Sequence, residues 1–153
     1  MEKISENPSF SIENLYGQWH ILYTNFPMWT KSYRKSPSLN YAYHPGDETY
    51  CIYDLVLFTK NRKTKSIKGY NRLVSEQDLS FEWKGAGLLS LLRSRWKIIH
   101  FEADWMIIYF EKTLFTPEGY DVVSRNIDLK PTKEKDINEM IKTLQLPKLA
   151  RIQ

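Results

Sequence analysis

Apolar and polar residues alternate with a period of two along most of residues 17–126, and this pattern predicts β-strands. Groups of turn-forming residues separate the strands, for example at residues 45–48 and 115–119. Short turns between consecutive strands predict an antiparallel meander. Because closure removes the exposed edges of a meander, about eight such strands predict a closed barrel.

The period changes after Pro131, where apolar residues recur at helical spacing. The resulting amphipathic helix needs a surface to cover. The sequence therefore predicts one all-β domain over residues 1–153, a closed eight-stranded antiparallel up-and-down barrel with a C-terminal α-helix packed on its outside. Its predicted parts are an N-terminal strap (1–16), the barrel (17–126), the helix (132–145) and an additional edge strand (149–152).

The composition narrows the class of protein. With 153 residues, 42% apolar and 26% charged, the chain can bury a core, and its composition is neither disordered nor membrane-spanning. No apolar stretch approaches the ~18 residues that a spanning helix needs. The polar first residues and the single Cys51 predict a cytoplasmic location, although a signal peptide removed beforehand would leave the same sequence.

Three short motifs occur in register with the predicted strands. They are Asn-Leu-Tyr-Gly-Gln-Trp at residues 14–19, Ala-Asp-Trp at 103–105 and Ser-Arg at 124–125. Together they resemble the three motifs of the lipocalin family, and the resemblance covers nearly the whole chain. Ala103 and Trp105 depart from the second motif, and the family's usual disulfide is absent.

The resemblance implies which residues close the barrel and which face its lumen. Gly17, Trp19, Asp104 and Arg125 would be structural motif residues, with Arg125 stacked on Trp19 at the closed floor. The strand faces that the family pattern places inward, together with the first long loop, predict a mostly apolar binding cavity. Its predicted ligand-binding residues are Ile21, Tyr23, Phe26, Met28, Trp29, Trp96, Ile98, His100, Ile107, Tyr109 and Val123.

Two alternatives stay open for these residues. A register slip of one position would exchange every inward and outward face of a strand. The same side chains would also be ordinary core if they filled the lumen completely.

The predicted loops differ in charge at the two ends of the barrel. The loops at the rim, residues 26–38, 60–64, 84–93 and 114–119, are rich in cations, and Glu118 is their only acid. Such a positive rim would concentrate anionic ligands or dock on anionic head groups. Solvated loops without a function are the alternative. The predicted basic rim consists of Lys31, Arg34, Lys35, Arg62, Lys63, Lys84 and Arg93.

No arrangement of residues indicates a metal, a cofactor or a nucleic-acid groove. His20, His44 and His100 are scattered, and no cysteine or carboxylate completes a ligand set. The acids spread over the remaining surface argue against a long electrostatic groove for nucleic acid. His100 with Glu102 or Glu111 is the one candidate for a buried acid–base pair.

These features predict non-catalytic binding or transport of a small hydrophobic or amphipathic ligand, anionic and lipid-like, in the barrel. Basic rim residues would pair with its head group, and residues 26–38 would form a lid. One alternative is an enzyme that acts on a lipid-like substrate in the same cavity through His100. Another is an adaptor with a filled lumen that contacts an anionic membrane surface or a protein through the apolar loop 88–92. The sequence leaves the oligomeric state unknown.

Overall fold

The computed structural model describes residues 10–153, so most of the predicted strap lies outside the described residues. A short 3-10 turn over Ile12–Leu15 leads directly into the first strand. Strands then follow as a meander in which each pairs with the next. They are β1 Gly17–Thr24, β2 Lys35–Tyr43, β3 Ile52–Lys60, β4 Lys63–Ser75, β5 Ser80–Gly85, β6 Arg93–Phe101, β7 Trp105–Phe110 and β8 Gly119–Ser124.

Closure of the barrel depends on β1, which pairs with a different strand on each side. Residues 17–20 pair with β2, and residues 20–24 pair with β8, both antiparallel. The predicted closed barrel of eight strands is therefore confirmed. A ninth strand, β9 Ala150–Arg151, pairs with Tyr23 and Thr24 and lies outside the barrel.

Two helices flank the barrel. The short α1 Pro27–Thr30 follows β1 and occupies part of the predicted long loop. The longer α2 Pro131–Thr143 begins one residue before the predicted start and packs on the outside of the barrel. Its fully buried Ile137 joins a second apolar cluster, distinct from the lumen, on the outer wall. The other buried members of this outer core are Leu22, Tyr23, Trp105, Ile107 and Val122.

The closed end of the barrel is built around Trp19, which is fully buried. Its indole nitrogen donates to the Leu15 carbonyl at 2.8 Å. The Arg125 guanidinium lies 3.6 Å from the centre of the Trp19 ring and donates to the carbonyls of Gln18 and Asn14. These contacts fasten the segment before β1 across the floor.

Gly17 is required at the floor for two reasons. Its φ of +101° lies in a region that L-residues with a side chain rarely adopt. A Cβ at this position would also lie 2.9 Å from Nη1 of Arg125. On the other side of Arg125, the carbonyl of Asp104 accepts its backbone N–H at 2.8 Å. The Asp104 carboxylate pairs with Lys133 at 3.1 Å and so connects the β6–β7 turn to α2.

β-Bulges correct the predicted inward faces of two strands. In β1 the pairing shifts between Ile21 and Tyr23, and in β6 it shifts between Ile98 and His100. Each extra residue rotates the following side chains to the other face of the wall. Tyr23 therefore packs in the outer core under α2 rather than in the lumen, and His100 pairs with the outward-facing Ile107.

The prediction for β7 is also wrong: its inward and outward faces are exchanged along the whole strand, and no bulge is involved. Met106 and Ile108 belong to the inner cluster, and Phe110 lines the lumen. Ile107 consequently packs under α2, and Tyr109 lies on the outer surface, where its hydroxyl donates to Glu118 at 2.6 Å. This hydrogen bond is the main reason that the pKa of Tyr109 is raised to about 12.

Candidate ligand-binding cavity

The barrel is hollow. A cavity of about 670 Å³ lies between the strands and is lined at one end by residues of the β1–β2, β5–β6 and β7–β8 loops. These loops lie opposite the floor that Trp19 and Arg125 close. The volume falls within the range of small-molecule sites in proteins. The side chains of residues 10–153 therefore do not fill the lumen.

The cavity wall is mainly aliphatic and aromatic. Trp96 and Tyr41 line the cavity and stack with ring centres 6.0 Å apart, and Trp96 also stacks on Phe81 of the inner cluster at 4.3 Å. Such contacts fix the rings before any ligand arrives. The remaining apolar wall is contributed by Ile21, Leu39, Val56, Ile67, Trp83, Leu92 and Phe110.

The entrance is formed by aromatic residues that follow β1. Phe26 lies 5.4 Å from Phe110, and it approaches Gly119 so closely that a Cβ there would overlap its ring. Trp29 in α1 is nearly buried and packs edge-on against Phe58 at 5.6 Å. The predicted lid is therefore a short helix packed onto the barrel, and Met28 and Trp29 line the cavity from it.

Two buried carboxyl groups interrupt the apolar wall. Asp54 on β3 and Asp121 on β8 both line the cavity, at 5% and 2% exposure. One oxygen of each, Oδ1, has no hydrogen-bond partner. Burial raises the pKa of each carboxyl to about 7. In the opposite direction, the Asn71 amide lowers the pKa of Asp54 and the Thr24 hydroxyl lowers that of Asp121.

A short hydrogen-bonded chain holds Asp54 in place. The indole nitrogen of Trp96 donates to Oδ1 of Asn71 at 2.9 Å, and Nδ2 of Asn71 donates to Oδ2 of Asp54 at 2.8 Å. Since an indole N–H only donates, Asn71 must present its oxygen to Trp96 and its NH2 group to the carboxyl. The chain therefore fixes Asp54 as an acceptor through Oδ2 and leaves Oδ1 buried without a hydrogen-bond partner.

Tyr41 is the third polar group of the interior. It is the register partner of Asp54 on β2, and it is almost completely buried. Burial raises the pKa of its hydroxyl well above the ordinary value, and the charges of Asp54 and Asp121 add to this effect. Both carboxyls are thus within electrostatic range of one phenol.

The structure brings together about half of the predicted ligand-binding residues. Ile21, Phe26, Met28, Trp29 and Trp96 line the cavity, and Ile98 and Val123 belong to the inner cluster packed around it. Tyr23, His100, Ile107 and Tyr109 lie outside the barrel. Sequence reasoning missed Asp54 as a site residue. Its signal was a charged residue in phase with Ile52, Val56 and Phe58, which all face inward.

The predicted acid–base pair is not in the cavity. His100 lies in a polar groove between the barrel and α2, 3.3 Å from Glu102. Glu111 lies in the exposed β7–β8 loop. Neither can reach a molecule inside the barrel, so the interpretation of His100 as an acid or base for a substrate in the cavity is wrong.

The basic residues of the rim are exposed or half-buried. Arg34 lies over the Phe58 ring at 5.0 Å, and Arg93 lines the entrance and donates to the carbonyls of Ser90 and Leu92. Lys84 instead contacts the Tyr50 ring at 4.9 Å. Within residues 10–153, no ion pair involves any of the seven predicted rim cations. Glu111 adds a second acid to the rim loops, beside the predicted Glu118.

The apolar side chains of the rim are also exposed. Leu88 and Leu91 of the β5–β6 loop are almost completely exposed, and Leu91 also borders the cavity entrance. Leu114 and Phe115 are similarly exposed on the β7–β8 loop. The described part of the chain contains no helix of the length and apolarity that a membrane crossing requires. Over the same residues, no cluster of three or more His, Cys, Asp or Glu side chains could hold a metal ion.

Solved structures show what this architecture is similar to. The chain superposes on insecticyanin from the tobacco hornworm Manduca sexta with a TM-score of 0.74 at 12% identity, covering 95% of this chain and 81% of the other. The siderocalin Ex-FABP gives a TM-score of 0.66 at 10% identity, with 91% and 93% covered. An odorant-binding protein gives 0.61 at 13% identity, with 92% and 90% covered. By sequence, neither a protein-family model nor a curated protein matches the chain.

The protein has the lipocalin fold, with a closed barrel, an outer helix and a ninth strand. Identities of 10–13% carry the likeness no further than the fold.

Proposed function

We propose that this protein binds one small hydrophobic or amphipathic molecule inside its barrel and carries it without chemical change. The preformed cavity of about 670 Å³ with its apolar wall is the observation on which the proposal rests. The names of two similar structures, an odorant-binding protein and a siderocalin with dual ligand specificities, support a binding role.

The physical basis of binding is the transfer of apolar surface from water into a site that already exists. Each Å² of apolar surface removed from water contributes roughly 25 cal/mol before the costs of association are subtracted. Stacking and the Trp96–Asn71 hydrogen bond hold the aromatic part of the cavity wall in place. Little side-chain ordering therefore remains to oppose ligand binding.

Filling the cavity tests this proposal. In Val56→Trp the new ring occupies the lumen, and we expect the fluorescence titration with the uncharged dye Nile red to show about tenfold weaker binding. Leu55→Trp places the same ring on the outer face of β3 and should leave the affinity unchanged. Ile67→Phe, at the register partner of Val56, provides a second filling variant. Equal dye affinity in all folded variants would contradict binding in the lumen.

The anionic head group predicted from the sequence remains a prediction. Among the described residues that line the cavity, Arg93 is the cation, and it lies at the entrance. An anionic head would therefore sit at the rim beside Arg93, with the apolar chain inside. Octanoate binding to the wild type and to Arg93→Gln measures this contribution.

As a second candidate function, we propose that the rim docks on an anionic membrane. Leu88, Leu91, Leu114 and Phe115 are exposed on two neighbouring rim loops, and Lys31, Arg62 and Lys63 lie exposed at the same end. Apolar side chains surrounded by cations suit the interface of an anionic bilayer. The wild type should float with phosphatidylserine vesicles, whereas Leu88→Ser/Leu91→Ser should not. Equal flotation of both proteins contradicts docking through this loop.

A further inference from the structure

We infer that Asp54 and Asp121 form a subsite for the protonated amine of an amphipathic ligand, which enters the barrel with its amine towards these carboxyls. The inference rests on the proposed binding function and specifies the class of ligand. The subsite consists of two buried carboxyl groups with free oxygens inside an otherwise apolar cavity.

The free oxygens carry the argument. Buried polar atoms in folded proteins nearly always have a hydrogen-bond partner, and those without one call for an explanation. Here Oδ1 of both Asp54 and Asp121 lacks a partner, although each residue is at least nine-tenths buried. Because both residues line the cavity, a ligand there that donates hydrogen bonds to these carboxyl groups would supply partners that the protein does not.

The surroundings of the carboxyls favour a positive ligand. Asp54 accepts a hydrogen bond from Asn71, and Asp121 lies beside Thr24. Both carboxyls are also close to Tyr41 of β2. None of these neighbouring side chains is positively charged. Arg93, the cation that lines the cavity, lies at the entrance and is exposed to solvent. Ionised carboxylates buried without a cation are unfavourable, and an ammonium group would remove that cost.

An amine fits the donor count better than a hydroxyl group. A protonated primary amine carries three donors and one positive charge, whereas a hydroxyl group carries one donor and no charge. Hydrogen bonds between charged groups are about twice as strong as neutral ones. A subsite with two free carboxyl oxygens therefore discriminates between the two head groups.

Amine binding should be linked to proton release. Because burial raises the pKa of both carboxyls to about 7, an ammonium group should bind best when they are ionised. Affinity for an amine should rise between pH 5.5 and 8.5, and affinity for the matching carboxylate should fall over the same interval. Tyr41, the titratable neighbour of both carboxyls, does not change charge in this range because burial raises its pKa well above the ordinary value; Arg93 is the charged group at the entrance.

Three ligands with the same apolar chain test the subsite. Octylamine, octanol and octanoate are titrated as competitors of Nile red at pH 6.0 and 8.5. Wild type, Asp54→Asn, Asp121→Asn and the double variant are compared, with Asp78→Asn at the exposed β4–β5 turn as a matched control. We expect octylamine to bind the wild type at least about tenfold more tightly than octanol at pH 8.5. In the double variant octylamine and octanol should bind equally, each affinity being referred to the Nile red affinity measured for that same variant.

The outcomes separate this inference from the proposed function. Equal affinities of octylamine and octanol for the wild type would overturn the amine subsite, as would a preference that survives in the double variant. Tightest binding of octanoate, strengthened by removal of the carboxyls, would assign an anionic head instead. Absence of Nile red binding in every protein would overturn the binding function itself.

Discussion

The barrel wall has an apolar region on its inner face and another on its outer face under α2, and the two are covered in different ways. On the outside, Leu22, Ile107 and Val122 are fully buried beneath Ile137 of α2. On the inside, Val56 and Ile67 border a cavity of about 670 Å³ that the described residues leave open. Among the described residues, α2 covers the outer apolar face, and the inner face borders the cavity.

The polar groups on the two faces differ in the same way. Near the outer core, Tyr23 and Arg151 both contact Glu134, and Lys133 pairs with Asp104, so charged groups have partners. In the lumen, Asp54 and Asp121 each keep a free oxygen. A packed region satisfies its polar groups internally, whereas a binding site leaves some of them for a ligand.

The largest expected effect is a loss of stability when a side chain of the outer core is truncated. Ile137→Ala removes a fully buried side chain from close packing, and we expect the free energy of unfolding to fall by roughly 3 kcal/mol. Ile67→Ala, at the edge of the existing cavity, should cost less than about 1 kcal/mol because it opens little new void. Urea denaturation measures both changes. Equal losses would show that the lumen is packed as tightly as the outer core.

The second prediction concerns stability and pH. A raised carboxyl pKa means that the native state binds more protons than the unfolded state between pH 4 and 7, so stability falls as pH rises through that interval and levels off above about 7. Asp54→Asn and Asp121→Asn remove this dependence. Each should raise the free energy of unfolding at pH 8 by on the order of 2 kcal/mol.

Thermal denaturation from pH 4 to 8 measures the effect. Asp78→Asn, at an exposed turn, provides the control and should follow the wild type. If the variants at positions 54 and 121 were less stable than the wild type at pH 8, the two carboxyls would be supporting the fold rather than weakening it.

The sequence predicts the barrel well because strand alternation and turn residues are local signals. The period of two identifies β1 through Trp19 and Ile21, and the helical period after Pro131 identifies α2 through its apolar stripe. Closure follows from the need to pair the two edges of a meander. These features require no knowledge of contacts between distant residues.

The inward faces are harder to predict because a single bulge inverts them. Nothing in the local composition around Leu22 or Ile99 marks the extra residues, since neither bulge contains Gly. Residues beyond each bulge, such as Tyr23 and His100, are therefore assigned to the wrong side by alternation alone. The pairing of β3 with β4 contains no shift, so alternation is not inverted along β3. The inward position of Asp54 can therefore be predicted from Ile52 and Val56, two residues before and after it.

A third prediction concerns the closed end of the barrel, where Arg125 stacks on Trp19. In Gly17→Ala the new Cβ would lie 2.9 Å from the Arg125 guanidinium, and the φ of +101° stays unfavourable for alanine. We expect a loss of about 2 kcal/mol in the wild-type background. In an Arg125→Ala background the clash disappears and the conformational cost remains, so the loss should shrink to about 1 kcal/mol. A loss of the same size in both backgrounds would show that Arg125 does not constrain position 17.

The smallest expected effect on stability is at the rim, where side chains are exposed to solvent and belong to neither apolar region. Arg62→Gln and Lys63→Gln change exposed side chains without ion-pair partners among the described residues, so the free energy of unfolding should move by less than about 0.5 kcal/mol. Binding to phosphatidylserine vesicles should nevertheless weaken, with a smaller difference at high salt because exposed charges are screened. Lys148→Gln, an exposed cation after α2, is the control in the same sedimentation measurement. Equal weakening by all three substitutions would indicate that net charge, rather than the position of the cations at the rim, governs the contact.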